Sequence, residues 1–278
     1  MGEQPNRASL ATTARVVRGG EAEDVHLEVI LEEPLSLEVN DEPVALLMRL
    51  PGMEKELAVG FCLSEGLVRS FDDILGVRHC GEALPGSGAA AAGEDRNRVE
   101  VRVRPEGLNP EARREVARLV RAGCGSVDLE GIDLSLPNAP EGLGVLAEVL
   151  GALPQAMNEA QVLRQAVGGV HAAGIYRADG EQVVVCEDIG RHNAVDKAVG
   201  HCLLQGISLE NKVLLCSGRL SYEMATKALR AGVPVLATIA VPTSLAVQIA
   251  ERYGLTMVGR LRGGRLTVYA HPERVLVA

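Results

Sequence analysis

The chain has 278 residues, of which 47% are hydrophobic, 23% charged and only 2% aromatic. This is enough apolar material for one large domain or two modest ones, and too much for a disordered chain. A net charge of −9 with no Trp and few other rings argues against a general nucleic-acid binder, and no apolar run is long enough to span a membrane as a helix.

The first residues carry no apolar signal core, so the expectation is a cytoplasmic protein with a frayed, flexible tail over 1–20. From Val25 to Leu50 apolar and polar residues alternate, with a turn at Asn40-Asp41-Glu42. That pattern predicts antiparallel strands joined by hairpins. A helix is predicted over Glu54–Ser64. Strands follow over Ile74–Arg78 and Arg98–Arg104, separated by a loop rich in small residues. Asn109 is a candidate N-cap, with Pro110 at the first helical position of a helix running to Gly123. Gly123-Cys124-Gly125-Ser126 comes next. The Pro/Gly-rich stretch Leu136–Gly144 then marks a boundary between a β-rich N-terminal portion (21–140) and an α/β domain (141–278).

The second portion has a more regular rhythm. Helices are predicted over Gln155–Ala166, Asn193–Gln205, Ser221–Ala231 and Ser244–Arg252, and strands over Gln182–Cys186, Lys212–Cys216 and Val233–Thr238. A terminal hairpin pairs Thr256–Leu261 with Arg265–Tyr269. Strand and helix in alternation predict a mostly parallel sheet covered by helices. In such sheets ligands bind beyond the carboxyl ends of strands.

The chemistry-bearing residues cluster at those ends. Glu187-Asp188-Ile189-Gly190-Arg191-His192-Asn193, followed by Asp196 and Lys197, reads either as a ligand site or as a capping and ion-pair network. Gly168-Gly169-Val170-His171 offers close backbone approach and one imidazole; the plainer alternative is a satisfied His in a tight turn. Ser217 and Gly218 offer backbone amides, and Arg219 at a strand-to-helix junction suits phosphate or carboxylate. Glu223 and Lys227 are four apart and read as a surface ion pair. Arg260-Leu261-Arg262-Gly263-Gly264-Arg265 is either a solvated basic turn or an anion clamp.

Of the six cysteines, Cys62, Cys186, Cys202 and Cys216 sit in apolar stretches, as buried thiols do. Cys80 precedes the small-residue loop and is ambiguous. Cys124 lies between glycines, with Arg118 and Arg121 near enough in sequence to favour a thiolate. No CxxC pair occurs, so no metal site is expected.

The strings AVGFCLSEGLV (58–68), GGVHAAGIY (168–176), EDIGRHNAVDKAVG (187–200), SGRLSYEMATKALRAGVPVLATIAVPTSLAVQIA (217–250) and GRLTVYAHPERV (264–275) resemble the FdhD family of formate dehydrogenase accessory sulfurtransferases. The resemblance implies a fold similar to cytidine deaminases, a mixed sheet covered by helices, with an added β-rich N-terminal portion, assembled as a homodimer. It implies a persulfide sulfurtransferase. Sulfur passes from a cysteine desulfurase through Cys124 to Mo-bis(molybdopterin guanine dinucleotide), the client cofactor of formate dehydrogenase, with GDP as a mimic. Arg260, Leu261, Arg262, Gly263, Gly264 and Arg265 match the family's cofactor-binding segment. His171, Asp188, Arg191, His192, Asn193, Lys197, Ser217 and Arg219 are expected around the same ligand. The family often carries two loop cysteines as CGxCG, whereas here RAGCGSVD carries one, which keeps a non-catalytic cofactor chaperone as the alternative. A zinc deaminase would need a His/Cys-x-Glu element and a PCxxC motif that this sequence lacks, and a cysteine hydrolase using Cys124 and His171 lacks a triad pattern.

Overall fold

The structure is a computed structural model that describes residues 8–80, 95–112 and 135–277. Its first element is β1 (Ser9–Arg18), antiparallel to β2 (Glu21–Ile30) in a register running from Ser9↔Ile30 to Arg18↔Glu21. The two strands turn through Gly19 and Gly20, both at positive φ, as a tight two-residue hairpin requires. From Ser9 onwards the flexible tail expected over 1–20 is therefore corrected: Ser9–Arg18 is a strand held by its full-length pairing with β2.

β3 (Glu33–Val39), β4 (Glu42–Arg49), β5 (Ile74–His79) and β6 (Arg98–Val103) form a four-stranded sheet in the order β4-β3-β6-β5. The β3–β4 turn holds Asn40 and Asp41 at positive φ. Asn40 earns its place there by clamping β6: its Nδ2 donates to Val103 O at 3.0 Å and its Oδ1 accepts from Val103 N at 2.9 Å. α1 (Glu54–Ser64) covers the apolar face, packing Leu57, Ala58 and Phe61 in one core with Leu35, Leu37, Val99 and Val101. The predicted cap holds at Asn109, whose Oδ1 accepts from Glu111 N at 3.1 Å. The body of the helix that it starts lies outside the described residues, as does Cys124.

The second portion contains β7 (Val145–Leu146), α2 (Ala147–Ala160), α3 (Val162–Ala166), β8 (His171–Tyr176), β9 (Gln182–Asp188), α4 (Arg191–Leu204) and β10 (Val213–Cys216). α5 (Tyr222–Arg230), β11 (Val235–Thr238), α6 (Ser244–Tyr253), β12 (Thr256–Arg262), β13 (Arg265–Ala270) and β14 (Val275–Leu276) complete it. A six-stranded sheet runs β13-β12-β11-β10-β8-β9, and the short β7 and β14 pair with each other. β10, β11 and β12 are parallel, whereas β8 is antiparallel to both neighbours and β13 to β12, so the sheet is mixed rather than mostly parallel.

Two sequence expectations shift here. The helix expected over Gln155–Ala166 starts at Ala147, carries Pro154 inside it and breaks at Gln161. The strand β8 is not evident from its small residues. Gly174 is required there because Tyr176 folds back over it: a Cβ on Gly174 would lie 2.6 Å from the ring.

Alternate residues of the central strands face opposite sides. Leu214, Leu236 and Met257 pack with α4, α5, α6 and α1, in a core continuous with the N-terminal sheet. Val213, Leu215, Val235 and Ala237 pack with Leu150, Leu153 and Met157 of α2. α1 and α4 approach until a Cβ on Gly60 would lie 1.8 Å from Asp196 O, and one on Gly200 1.9 Å from Glu56 O. This glycine contact joins the β-rich portion to the α/β domain. Among the described residues no helix is long and apolar enough to cross a membrane.

Candidate functional site

Strand direction builds the site. Because β8 is antiparallel to β9 and β10, the strands β9, β10, β11 and β12 all end at one edge of the sheet, where β8 begins. That edge gathers His171, the 189–193 turn, Ser217-Gly218-Arg219 and the Arg260 segment.

At its centre Ser217 Oγ accepts from Ala172 N at 2.9 Å and lies 3.3 Å from His171 Nδ1. Gly218 leaves room for its neighbours: a Cβ there would meet Arg191 Cδ at 3.0 Å and His171 Nδ1 at 3.5 Å. Burial, then the nearby Arg191 guanidinium, holds the His171 pKa below its usual value. The Nε of Arg191 is buried without a hydrogen-bond partner among the described residues. His192 is pushed down to about 4, by burial first and then by Lys227 and Arg191. Its Nε2 lies 3.6 Å from Glu223 Oε2, which accepts from Ser221 Oγ at 3.0 Å. Arg219 is exposed.

Asp188, Asn193 and Lys197 face inward. Asp188 is fully buried. Its Oδ1 accepts from Gly190 N at 3.0 Å and Asn193 Nδ2 at 2.9 Å, while its Oδ2 lies 2.7 Å from Lys197 Nζ and accepts from Leu50 N at 3.2 Å. Asn193 also donates to Met48 O at 2.8 Å, and Lys197 to Leu50 O at 2.9 Å. The three side chains thus bind the end of β4 to the turn that presents Arg191 and His192. Beside that turn lies a cleft of about 520 Å³ lined by Ile30, Glu32, Met48, Gly169, Ile189 and Gly190.

The basic hairpin divides by residue. Leu261 is buried in the core under α2. Arg260, Arg262 and Arg265 are exposed. Arg260 holds a left-handed φ of 56° as its N–H reaches Ala240 O at 2.7 Å. Arg262 pairs in register with Arg265 across Gly263 and Gly264, both at positive φ. Three guanidiniums on a short turn at a strand-end edge suit phosphate oxygens.

A second charged cluster lies behind this edge, and sequence reading missed it. Lys227 is not a surface partner of Glu223. It is buried, 2.8 Å from Asp196 Oδ1, 2.6 Å from Glu65 Oε1 and 2.8 Å from Ser64 Oγ. Local pattern carried no signal of this, since Glu223 lies on the same helix face four residues earlier and the true partners come from other helices.

The thiols also separate. Burial pushes Cys62, Cys186 and Cys216 up to about 12 and Cys202 to about 11. Cys80 is half-buried. All five are free.

The fold and this edge define a class: an α/β protein whose basic, glycine-lined strand-end edge is locked to a β-rich N-terminal portion. The chain belongs to the FdhD/NarQ family, whose model matches residues 30–276. It is 39% identical over 275 residues to the sulfur carrier protein FdhD of Mycobacterium tuberculosis, covering 95% of this chain and 99% of that one. It is 40% identical over 256 residues to the sulfur carrier protein FdhD of Streptomyces coelicolor, covering 89% and 88%. In fold it matches the crystal structure of a putative formate dehydrogenase accessory protein from Desulfotalea psychrophila with a TM-score of 0.74. That match has 24% identity and covers 97% of this chain and 100% of that one.

Proposed function

We propose that this protein is a sulfur carrier for formate dehydrogenase maturation. It takes persulfide sulfur from a cysteine desulfurase and delivers it to the molybdenum cofactor, Mo-bis(molybdopterin guanine dinucleotide), before insertion. The observation that carries this reading is the thiol inventory. A carrier needs a thiol that ionises near neutral pH. Burial has taken Cys62, Cys186, Cys202 and Cys216 out of that range, which leaves Cys80 and Cys124; the resemblance of RAGCGSVD to the family's cysteine loop selects Cys124 as the nucleophile, with half-buried Cys80 as its comparator. In the loading step the Cys124 thiolate attacks the terminal sulfur of the donor persulfide. The donor S–S bond breaks, and the donor cysteine leaves as thiolate.

The residues at the strand-end edge fit a nucleotide-bearing cargo. Exposed Arg260, Arg262 and Arg265 take phosphate oxygens. The unpartnered Nε of Arg191, with Arg219, Ser217 and His171, forms the polar floor. Asp188, Asn193 and Lys197 act by holding that floor in place. His171 and His192, kept uncharged, offer neutral hydrogen-bonding groups beside the guanidiniums. A homodimer belongs to this reading and is supported by the exposed apolar face of the β1–β2 hairpin, Leu10, Leu27 and Val29, because an isolated two-stranded hairpin is marginal in water.

The test is complementation of a strain lacking its own carrier. The wild-type chain is expected to restore formate dehydrogenase activity, and Cys124→Ser to fail while remaining folded. Restoration by Cys124→Ser would instead establish the chaperone reading, in which the protein holds cofactor without moving sulfur.

A further inference from the structure

We propose that Glu223 is the specificity-determining residue of the strand-end edge, selecting a purine that donates from both its N1 and its 2-amino group. The inference deepens the nucleotide-cargo reading above and rests on it. Guanine differs from other purines in presenting two adjacent donors, and a carboxylate presents two acceptor oxygens at matching spacing.

The carboxylates around the edge can be sorted by what they already hold. Asp188 uses both oxygens internally. Glu187 accepts from Leu163 N and Arg164 N, each at 2.9 Å. Asp196 and Glu65 are spent on Lys227. Glu223 differs: its side chain is 40% exposed, its Oε2 takes only the Ser221 hydroxyl, and its Oε1 has no hydrogen bond among the described residues.

The neighbouring imidazole does not consume its charge. His192 is 3.6 Å away, beyond hydrogen-bond length, and burial keeps it neutral at physiological pH. Lys227, four residues on, turns inward to Asp196. An unspent negative charge therefore stands on an otherwise cationic edge.

The position agrees. Glu223 opens α5, the helix that follows β10, and the arginine hairpin ends β12 at the same strand-end edge. In the proposed complex the phosphates lie on Arg262 and Arg265 and the base on Glu223. Glu32 is the other exposed carboxylate nearby. It lines the cleft beside Gly190 and serves as the control.

The experiment is competition binding of GDP, IDP and ADP to the full chain, in wild type, Glu223→Gln and Glu32→Gln. IDP lacks the 2-amino donor, and ADP offers no donor at N1. Wild type is expected to prefer GDP over both by about 10- to 100-fold, the worth of a hydrogen bond to a charged group. Glu223→Gln is expected to flatten that preference, and Glu32→Gln to keep it. Equal affinity of wild type for GDP and IDP overturns the inference without recourse to any variant. So does an undiminished preference in Glu223→Gln, or its loss in Glu32→Gln alone. Absence of binding by every nucleotide overturns the cargo reading itself, and this inference with it.

Discussion

Lys227 Nζ lies 2.8 Å from Oδ1 and 2.9 Å from Oδ2 of Asp196, and both residues are buried. Burial opposes the charge on Lys227, yet Asp196 and Glu65 outweigh it and hold the ammonium pKa above its usual value. Burial raises Asp196 to about 6, against the pull of Lys227. Ser64 Oγ donates to Asp196 Oδ1 at 2.5 Å. Three helices, α1, α4 and α5, thus meet on one ion cluster behind the candidate site.

Removing Lys227 leaves Asp196 buried without its counter-charge, and removing Asp196 leaves buried Lys227 with Glu65 alone. Lys227→Met and Asp196→Asn are each expected to cost about 3–5 kcal/mol, with the double variant well short of the sum. Urea unfolding measures this, and simple additivity would show that the two charges act independently.

Gly60→Ala and Gly200→Ala are expected to lower the melting temperature. The new Cβ atoms would sit 1.8 Å and 1.9 Å from backbone oxygens of the facing helix, and backbone cannot step aside as a flexible side chain can. Overpacking of this kind costs about 1–3 kcal/mol or more. Gly76→Ala, where a Cβ meets open space, is expected to change stability by less than about 0.5 kcal/mol.

His192 is expected to titrate with a midpoint near 4 when followed by NMR; a midpoint near the ordinary imidazole value would show that burial and Lys227 do not act on it. The unfolded chain binds this proton more readily than the folded one, so the contribution is full above about pH 6.5 and is lost as pH falls towards 4. Relative to His192→Gln, wild type should lose up to about 3 kcal/mol across that window. Asp196, raised to about 6, works in the opposite direction between pH 6 and 4, but it does so in both proteins.

The Arg262→Ala/Arg265→Ala double variant is expected to weaken GDP binding about tenfold or more, and to flatten its salt dependence, at unchanged stability. Leu261→Ala is expected to do the reverse, costing about 2–5 kcal/mol, because that side chain lies in the core. Unchanged affinity in the double variant would remove the clamp.

Periodicity made most of the fold legible. α1, the β3–β4 hairpin, the alternation from β9 onwards and the Asn109 cap all follow from local pattern. What local pattern hides is pairing and direction. β8 carries Gly174 because Tyr176 needs its space, and its antiparallel setting to β10 depends on a partner distant in sequence. β1 lies upstream of Val25, where the alternation begins, and its pairing with β2 makes it a strand. In the site, the motif around Asp188–Lys197 was visible, but its division of labour was not. Nothing in EDIGRHN says that Asp188 and Asn193 reach back to Met48 and Leu50 while Arg191 and His192 face the edge. Lys227 was misread for the same reason: its partners Ser64 and Glu65 come from a helix more than a hundred residues earlier.

The central claim is that Cys124 carries sulfur, and intact mass spectrometry tests it most directly. The full chain, Cys124→Ser and Cys80→Ser would be incubated with a cysteine desulfurase and cysteine without reductant. The account predicts a mass increase of one sulfur in wild type and Cys80→Ser, reversed by reductant and absent in Cys124→Ser. Equal labelling of Cys124→Ser and wild type would place the sulfur on another thiol and contradict the account.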